Sequence, residues 1–171
     1  MSSLAQHLAQ LEASGLIRLE QVEPELEYSF LHGLLQEAAY GSMLKSELAE
    51  WHRAVGTALE ALYPERLASS EMAPTLAHHF LEAGDQERAL KYLTRAGDAA
   101  LASYANVEAE HHYRRALELP GSEPGRVELL SGLGLAYSRQ SRFAEALQVW
   151  REAIVLCRAK GDTNGLARLY A

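Results

Sequence analysis

The sequence has little cysteine and proline and lacks long apolar runs, and each shortage excludes a class of protein. Its single cysteine, Cys157, has no partner for an internal disulfide. The place of Cys157 on an apolar helical face predicts a buried, inert thiol in a reducing compartment. Only five of the 171 residues are proline and 8% are aromatic, which suits a helix-rich protein. No run of about 18 apolar residues occurs, so a membrane-spanning helix is not expected.

Positive charge is also scarce. The chain has 16 Lys and Arg residues against 23 Asp and Glu residues, which gives a formal net charge of -7. An acidic surface repels phosphate backbones, so nucleic acid is not an expected partner. The hydrophobic content of 48% indicates a globular chain. The first residues lack the charged start and apolar core of a signal peptide, so we expect a cytoplasmic protein.

The first 44 residues predict a helix, a β-hairpin and a second helix. Apolar and polar residues alternate over 17–21 and again over 25–31. Val22, Glu23 and Pro24 lie between these segments, as in two strands joined by a turn. This order resembles the last third of a winged-helix domain, so we interpret residues 1–44 as a partial winged-helix remnant.

The rest of the chain predicts helices alone, so the expected fold class is mainly α. A helix ending near Leu62 and a loop over 65–70 form a connecting segment, 45–70. Residues 71–171 are interpreted as helical repeats that are truncated at the C-terminus, because apolar residues of the last helix lack a later partner. Ends left open in this way could promote self-association.

Small and large residues recur at helical spacing in the C-terminal half. All four residues of one set recur in the other after the same shift of 37 residues, and four such coincidences exceed what helical periodicity alone provides. This pattern resembles the tetratricopeptide repeat, whose period is about 34 residues, and it predicts antiparallel helix pairs in a right-handed solenoid. A generic helical bundle is the alternative. The two sets are Gly97, Ala109, Tyr113 and Ala116, and Gly134, Ala146, Trp150 and Ala153.

The middle of the chain contains a series of motifs that point to one family: Phe30-Leu31-His32, Gln36 to Tyr40, Leu48 to His52, Leu76 to Phe80, Ala83-Gly84, Ala96 to Ala100, Tyr104 to Ala109 and Arg115 to Leu119. Together they resemble the region after the ATPase module in large bacterial signalling ATPases of the STAND class. In that family a P-loop ATPase precedes a winged helix and tetratricopeptide repeats, often with cyclase or LuxR-type output domains. The resemblance implies a regulatory arm, with the ATPase and the output domain outside this chain.

Motifs for catalysis are missing. A phosphate-binding loop needs a GxxxxGK sequence, and a zinc peptidase needs HExxH; the chain has neither. The pairs His78-His79 and His111-His112 each offer one ligand to a given site, because neighbours on a helix point about 100° apart. His78 and Glu82 share a face and form at most a weak chelate. We therefore predict no catalytic, cofactor or metal site.

A peptide-binding groove is the remaining candidate. In tetratricopeptide arrays the first helix of each unit lines the groove. The family's best-known groove grips a peptide carboxylate with Lys, Asn and Arg. Here the corresponding positions hold Thr94, Asp98, Ser131, Glu128 and Gly132, so carboxylate-terminated peptides are not expected. By register, the groove residues are Lys91, Thr94, Arg95 and Asp98 from one helix and Glu128, Ser131, Leu135 and Ser138 from another.

The leading hypothesis is a non-catalytic protein-interaction arm of a multidomain signalling ATPase or transcription regulator. Its partner would be a protein: an ATPase or output domain of the same parent, or a separate chain. Two alternatives stay open. One is a winged-helix DNA-binding protein with a helical tail, although the charge of residues 1–32 opposes it. The other is a sensor that binds a small inducer between the helices at 33–62 and 73–102.

Overall fold

A computed structural model describes residues 3–23 and 26–170, which form ten α-helices and one two-stranded hairpin. The helices pack in consecutive pairs, which confirms the mainly α fold class. Contacts divide the chain into two compact units, Met1–Leu48 and Ala49–Ala171. The helices are α1 Ser3–Ala13, α2 Gly33–Ser42, α3 Lys45–Leu62, α4 Pro64–Ala68, α5 Ala73–Glu82, α6 Gln86–Ala102, α7 Asn106–Glu118, α8 Arg126–Arg139, α9 Phe143–Lys160 and α10 Thr163–Tyr170.

The first unit contains the predicted hairpin. Strand β1, Ile17–Gln21, pairs antiparallel with β2, Glu27–Phe30, and places Ile17 opposite Phe30. Only Ile17 of this pair is buried. The register shifts near Gln21, which lies opposite Glu27. The hairpin is therefore confirmed, whereas Pro24 and Glu25 of the predicted turn lie outside the described residues.

Local capping explains where several helices of the second unit begin. The side chain of Asp85 accepts a hydrogen bond from the backbone N–H of Arg88 at 3.1 Å. Asp162 does the same for Gly165 at 2.8 Å. Each bond satisfies a backbone donor that has no partner inside its helix. These two aspartates therefore mark where α6 and α10 begin.

The loop predicted over residues 65–70 is wrong, because a short helix, α4, occupies Pro64–Ala68. Pro64 stands in its first turn, where a fixed φ favours helix and the missing N–H costs nothing. Leu67 packs against the core of the second unit. Ser70 then takes a left-handed conformation, with φ 60°, before α5 begins.

In two helix pairs of the second unit, a glycine of one helix lies against an aromatic ring of the other. We call this glycine–aromatic contact the seam of the pair. A Cβ atom built on Gly97 of α6 would lie 2.8 Å from the Tyr113 ring of α7, and one on Gly134 of α8 would lie 2.2 Å from Trp150 of α9. Each aromatic side chain therefore occupies the space that a larger residue would fill. Both contacts are related by the 37-residue shift found in the sequence.

The turns inside these two pairs repeat as well. Tyr104 and Ser141, also 37 residues apart, adopt positive φ values of 61° and 62°. After each of them a backbone N–H bonds back to a carbonyl five residues earlier, at 2.9 Å in both turns. Repetition of seam and turn together shows that α6–α7 and α8–α9 are two copies of one packing arrangement.

A third seam joins α3 to α5. A Cβ atom on Gly56 would lie 2.9 Å from the ring of Phe80. The sequence pattern does not reveal this pair, because α4 lengthens the separation between glycine and aromatic from 16 residues to 24. The helix interpreted as a connecting segment thus makes the same kind of glycine–aromatic contact as the pairs that follow it, although its backbone approaches α5 less extensively than α6 approaches α7.

The core of the second unit follows these seams from α5 to α9, and Cys157 is buried in it, as predicted. Throughout residues 3–23 and 26–170, none of the helices combines the length and the apolar character that crossing a membrane requires.

A candidate protein-binding groove and a histidine cluster

The predicted groove residues lie on two helices of the second unit, four on α6 and four on α8. Three of them meet: Asp98, Glu128 and Ser131 line one cavity of about 240 Å³. Gly165 at the start of α10 also lines it, so three alternate helices contribute. The other lining residues are Leu101, Tyr113, Val127 and Gly132.

Tyr113 lies beneath this cavity and fixes one of its carboxylates. The phenol O–H donates a hydrogen bond to Oδ1 of Asp98 at 2.6 Å. Burial, followed by the contact with Asp98, raises the pKa of Tyr113 far above its usual range. The phenol therefore stays a neutral donor, and the Asp98 carboxylate is held in one orientation.

The charged side chains that line the cavity are all acidic. Two carboxylates, those of Asp98 and Glu128, are exposed at its wall, and no Lys, Arg or His is among the described residues that line it. Such a wall presents hydrogen-bond acceptors and disfavours an anionic ligand. The geometry suits a partner segment that supplies N–H donors or positive charge.

Other predicted groove residues are engaged within the fold. The guanidinium of Arg95 bonds to the Leu67 carbonyl and to Ser70 Oγ, the latter at 3.3 Å. Thr94 Oγ1 donates to the carbonyl of Leu90 at 2.9 Å, and Lys91 Nζ lies 4.8 Å from the centre of the Tyr92 ring. These side chains contact residues of α6, of α4 and of the segment after α4, and they do not line the cavity.

The α8 residues further along the groove are more open. Leu135 is 38% exposed and Ser138 is half-buried. Ser131 combines two roles: its hydroxyl bonds to the Val127 carbonyl at 2.7 Å, and its own carbonyl accepts from Trp150 Nε1 at 3.3 Å. The seam residue Trp150 is thus bonded directly to the cavity wall.

A histidine cluster is the feature that sequence reasoning missed. His52 of α3 lies beside both histidines of α5, with its ring centre 5.4 Å from that of His78 and 5.0 Å from that of His79. His52 Nδ1 and His79 Nδ1 are 2.9 Å apart. The missing signal was the α3–α5 pairing, since only that pairing brings His52 to the other two.

The cluster is not a preformed metal centre. Within the described part of the chain, no group of three His, Cys, Asp or Glu side chains is arranged to hold a metal ion. Burial, together with the charge of neighbouring histidines, lowers the pKa of His52 and of His79 below the usual value. The arrangement therefore favours neutral imidazoles near neutral pH.

His112 of α7 has a related environment. Burial lowers its pKa, and the charge of His111 adds to this effect. Its Nδ1 atom is buried without a hydrogen-bond partner. His112 and Leu93 line an outer cavity of about 290 Å³ together with Pro74, Ala77, His78, Leu81, Glu82, His111 and Arg115.

The fold and the groove together define a mainly α protein of consecutive, repeat-like helix pairs. No family model matches the chain. The chain is 30% identical over 136 residues to a protein of Rhizobium meliloti (strain 1021) named "Uncharacterized protein R02095". The match covers 78% of this chain but only 13% of that relative. The chain thus spans a small part of the length of the protein it matches.

Proposed function

We propose that this chain is the protein-interaction arm of a multidomain signalling ATPase or transcription regulator and performs no catalysis itself. On this proposal its helix pairs are of the tetratricopeptide type, and the hairpin unit is the remnant of a winged helix. The observation that carries the proposal is the glycine–aromatic seam, which recurs in three consecutive helix pairs. Repeated pairs of this kind offer a continuous face to a partner.

The groove supports a protein as the ligand. Its cavity draws on α6, α8 and the start of α10, so an extended segment would contact alternate helices in turn. The exposed carboxylates of Asp98 and Glu128 can accept hydrogen bonds from backbone or side-chain N–H groups. Farther along α8, the side chain of Leu135 adds exposed apolar area. Such a mixture is typical of non-obligate protein interfaces.

The parent protein is proposed to be a STAND-class regulator. The motifs between Phe30 and Leu119 support this, and so does the length of the relative, because the match covers only 13% of it and leaves room for further domains. The partner would then be the ATPase or output domain of the parent, or a separate protein. The single cysteine supports a reducing compartment such as the cytoplasm.

Affinity capture with charge-reversal variants tests this function. Glu128→Lys changes the groove, and Arg151→Glu makes the opposite reversal at an exposed position of α9. Both tagged variants and the wild type would be expressed in the native host and compared by quantitative mass spectrometry. We expect one protein to be recovered by the wild type and by Arg151→Glu, and to fall about tenfold or more with Glu128→Lys.

Equal recovery by all three proteins would reject the groove as the interface. Circular dichroism must show equal melting temperatures for the variants, so that a lost partner reflects the surface and not the fold. Recovery of nucleic acid rather than protein would favour the winged-helix alternative.

A further inference from the structure

The contact between His52 and His79 stands at a defined position of the helix-pair seam. His52 precedes the seam glycine, Gly56, by four residues, and His79 precedes the seam aromatic, Phe80, by one. Each of the other two pairs has equivalent positions, four residues before its seam glycine and one residue before its seam aromatic. In α6–α7 they hold Leu93 and His112, and in α8–α9 they hold Leu130 and Val149.

The chemistry of this contact changes along the array. Leu130 and Val149 belong to one apolar cluster. Leu93 and His112 line the same cavity, and the Nδ1 atom of His112 is buried without a partner. In α3–α5 both positions are histidine, and their Nδ1 atoms are 2.9 Å apart. The first pair thus replaces an apolar contact by a bond that depends on protons.

The number of protons on the two imidazole rings decides whether this hydrogen bond can form. At 2.9 Å the two Nδ1 atoms can share one hydrogen, with one ring donating and the other accepting. A neutral pair satisfies this condition, and so does a pair with a single positive charge. When both rings are protonated, N–H faces N–H and two positive rings lie 5.0 Å apart between centres. The contact must then open.

The charges around the pair act in both directions. Within α5, the charge of His78 opposes protonation of His52, whereas Glu82 favours it. From α3, Arg53 adds positive charge and bonds to the Ala83 carbonyl at 2.7 Å. The further charged groups of neighbouring elements are Asp85 and Arg88 at the start of α6, and His111, His112 and Arg115 of α7 across the outer cavity.

We propose that the His52–His79 pair is a proton-operated latch, which holds the middle of α3 against α5 near neutral pH and releases it when both imidazoles are protonated. The latch does not depend on the groove or on the identity of the partner. The contacts that α3 makes farther along, from Thr57 and Glu60 to Arg88 and from Glu60 to Tyr92, keep its C-terminal part in place.

The direction of the pH dependence follows from linkage. Burial, and then nearby positive charge, holds the pKa values of His52 and His79 below the ordinary value of 6.5. The unfolded or released state therefore binds protons more readily than the latched state. The stability of the contact is fully present above pH 6.5 and is lost as the pH falls through the lowered values.

Hydrogen exchange of the whole chain measures the latch directly. Amide exchange of α3 would be followed by mass spectrometry at pH 7.5 and 5.0, with correction for intrinsic rates and with a chelator to remove metal ions. Helix α9 is the internal reference, because it contains no histidine. We expect protection of α3 to fall about tenfold or more relative to α9 on acidification.

Two variants separate the latch from general acid sensitivity. The double variant His52→Leu, His79→Val copies the apolar contact of α8–α9, and we expect α3 to stay protected at pH 5.0. His111→Gln, at an exposed position of α7, should behave like the wild type. Undiminished loss of protection in the double variant, or no loss in the wild type, would overturn the proposal.

A spectroscopic measurement on the wild type remains decisive if the double variant fails to fold. At pH 7.5 the imidazole ¹⁵N resonances should show one of the two rings with its proton on Nδ1, whereas free histidine favours Nε2. Both rings must also titrate below pH 6.5. If both rings carry their proton on Nε2, no bond joins them and the latch does not exist.

Discussion

The pairs α3–α5 and α8–α9 of the second unit share a glycine–aromatic contact but differ in the chemistry around it. In α3–α5 the ring of Phe80 lies against Gly56, and in α8–α9 Trp150 lies against Gly134. Around that contact α8–α9 is apolar, with Ala153 and Cys157 fully buried. The same type of contact therefore occurs in both pairs, and the flanking residues decide what the attachment of each pair depends on.

Several polar side chains of α3 form bonds near the contact between α3 and α5. Arg53 bonds to the Ala83 carbonyl, and Glu60 joins Arg88 and the hydroxyl of Tyr92. Burial and the contact with Glu60 raise the pKa of Tyr92 to about 12, so this phenol remains a donor over the physiological range. Helix α3 is thus attached partly by bonds whose strength varies with solution conditions, beside the apolar packing of Leu59, whereas α9 buries Ala153 and Cys157 in an apolar cluster.

Removing the seam aromatics should produce the largest effect and tests the shared geometry. Trp150→Ala and Phe80→Ala should each lower the free energy of unfolding by about 3–5 kcal/mol, as large cavities in cores do. Trp51→Ala is the control, because Trp51 is 62% exposed, and it should cost about 0.5 kcal/mol or less. Urea denaturation followed by circular dichroism provides the measurement. A loss below about 1 kcal/mol for Trp150→Ala would mean that the seam is wrongly placed.

Replacing the seam glycines by alanine should have an intermediate effect on stability, and the size of the loss should differ among the three pairs. An alanine Cβ at Gly134, Gly97 or Gly56 would lie 2.2, 2.8 or 2.9 Å from the facing aromatic ring. We expect Gly134→Ala to cost about 1–3 kcal/mol through overpacking, and Gly56→Ala to cost least of the three. Gly41→Ala in α2 meets nothing within 4 Å and should stabilise its helix. Thermal melting gives the order, and the reverse order would contradict the seam geometry.

Changing His112 should have the smallest effect and probes the middle pair. Because burial lowers the pKa of His112, its contribution to stability is present above pH 6.5 and is lost as the pH falls through the lowered value. His112→Val copies Val149 and should flatten the dependence of stability on pH between 7.5 and 5.5. Urea midpoints at both values measure this, with the exposed His32→Gln as the control. If the dependence of stability on pH is the same in His112→Val as in the wild type, the proton that changes the stability binds to another group.

Much of the fold could be predicted from spacing alone. Strict alternation around Ile17 and Tyr28 indicated the hairpin, and the 37-residue shift indicated the pairs α6–α7 and α8–α9. The helix α4 was missed because a segment of five residues is too short to show helical periodicity. That omission also hid the α3–α5 seam, since the expected spacing from Gly56 to its aromatic was interrupted.

The candidate sites were less predictable than the helices. Helical register was enough to group Asp98, Glu128 and Ser131, because each lies on the same side of its helix. It could not show that Arg95 turns to the Leu67 carbonyl, since that contact depends on the path of the chain after α4. The His52–His79 bond joins residues 27 positions apart, and local patterns carry no information about such distances. The groove itself stays a prediction.

The recurrence of both seam and turn after 37 residues has an evolutionary consequence. A gene segment that encodes one such period carries a glycine for one contact, an aromatic residue for the same contact, and the left-handed turn between them. Duplicating that segment would add a helix pair that already fits its neighbour, so the protein could lengthen by single copying events. Divergence at the flanking positions could then give each copy its own sensitivity to the surroundings, and the series from His52–His79 to Leu130–Val149 has this form.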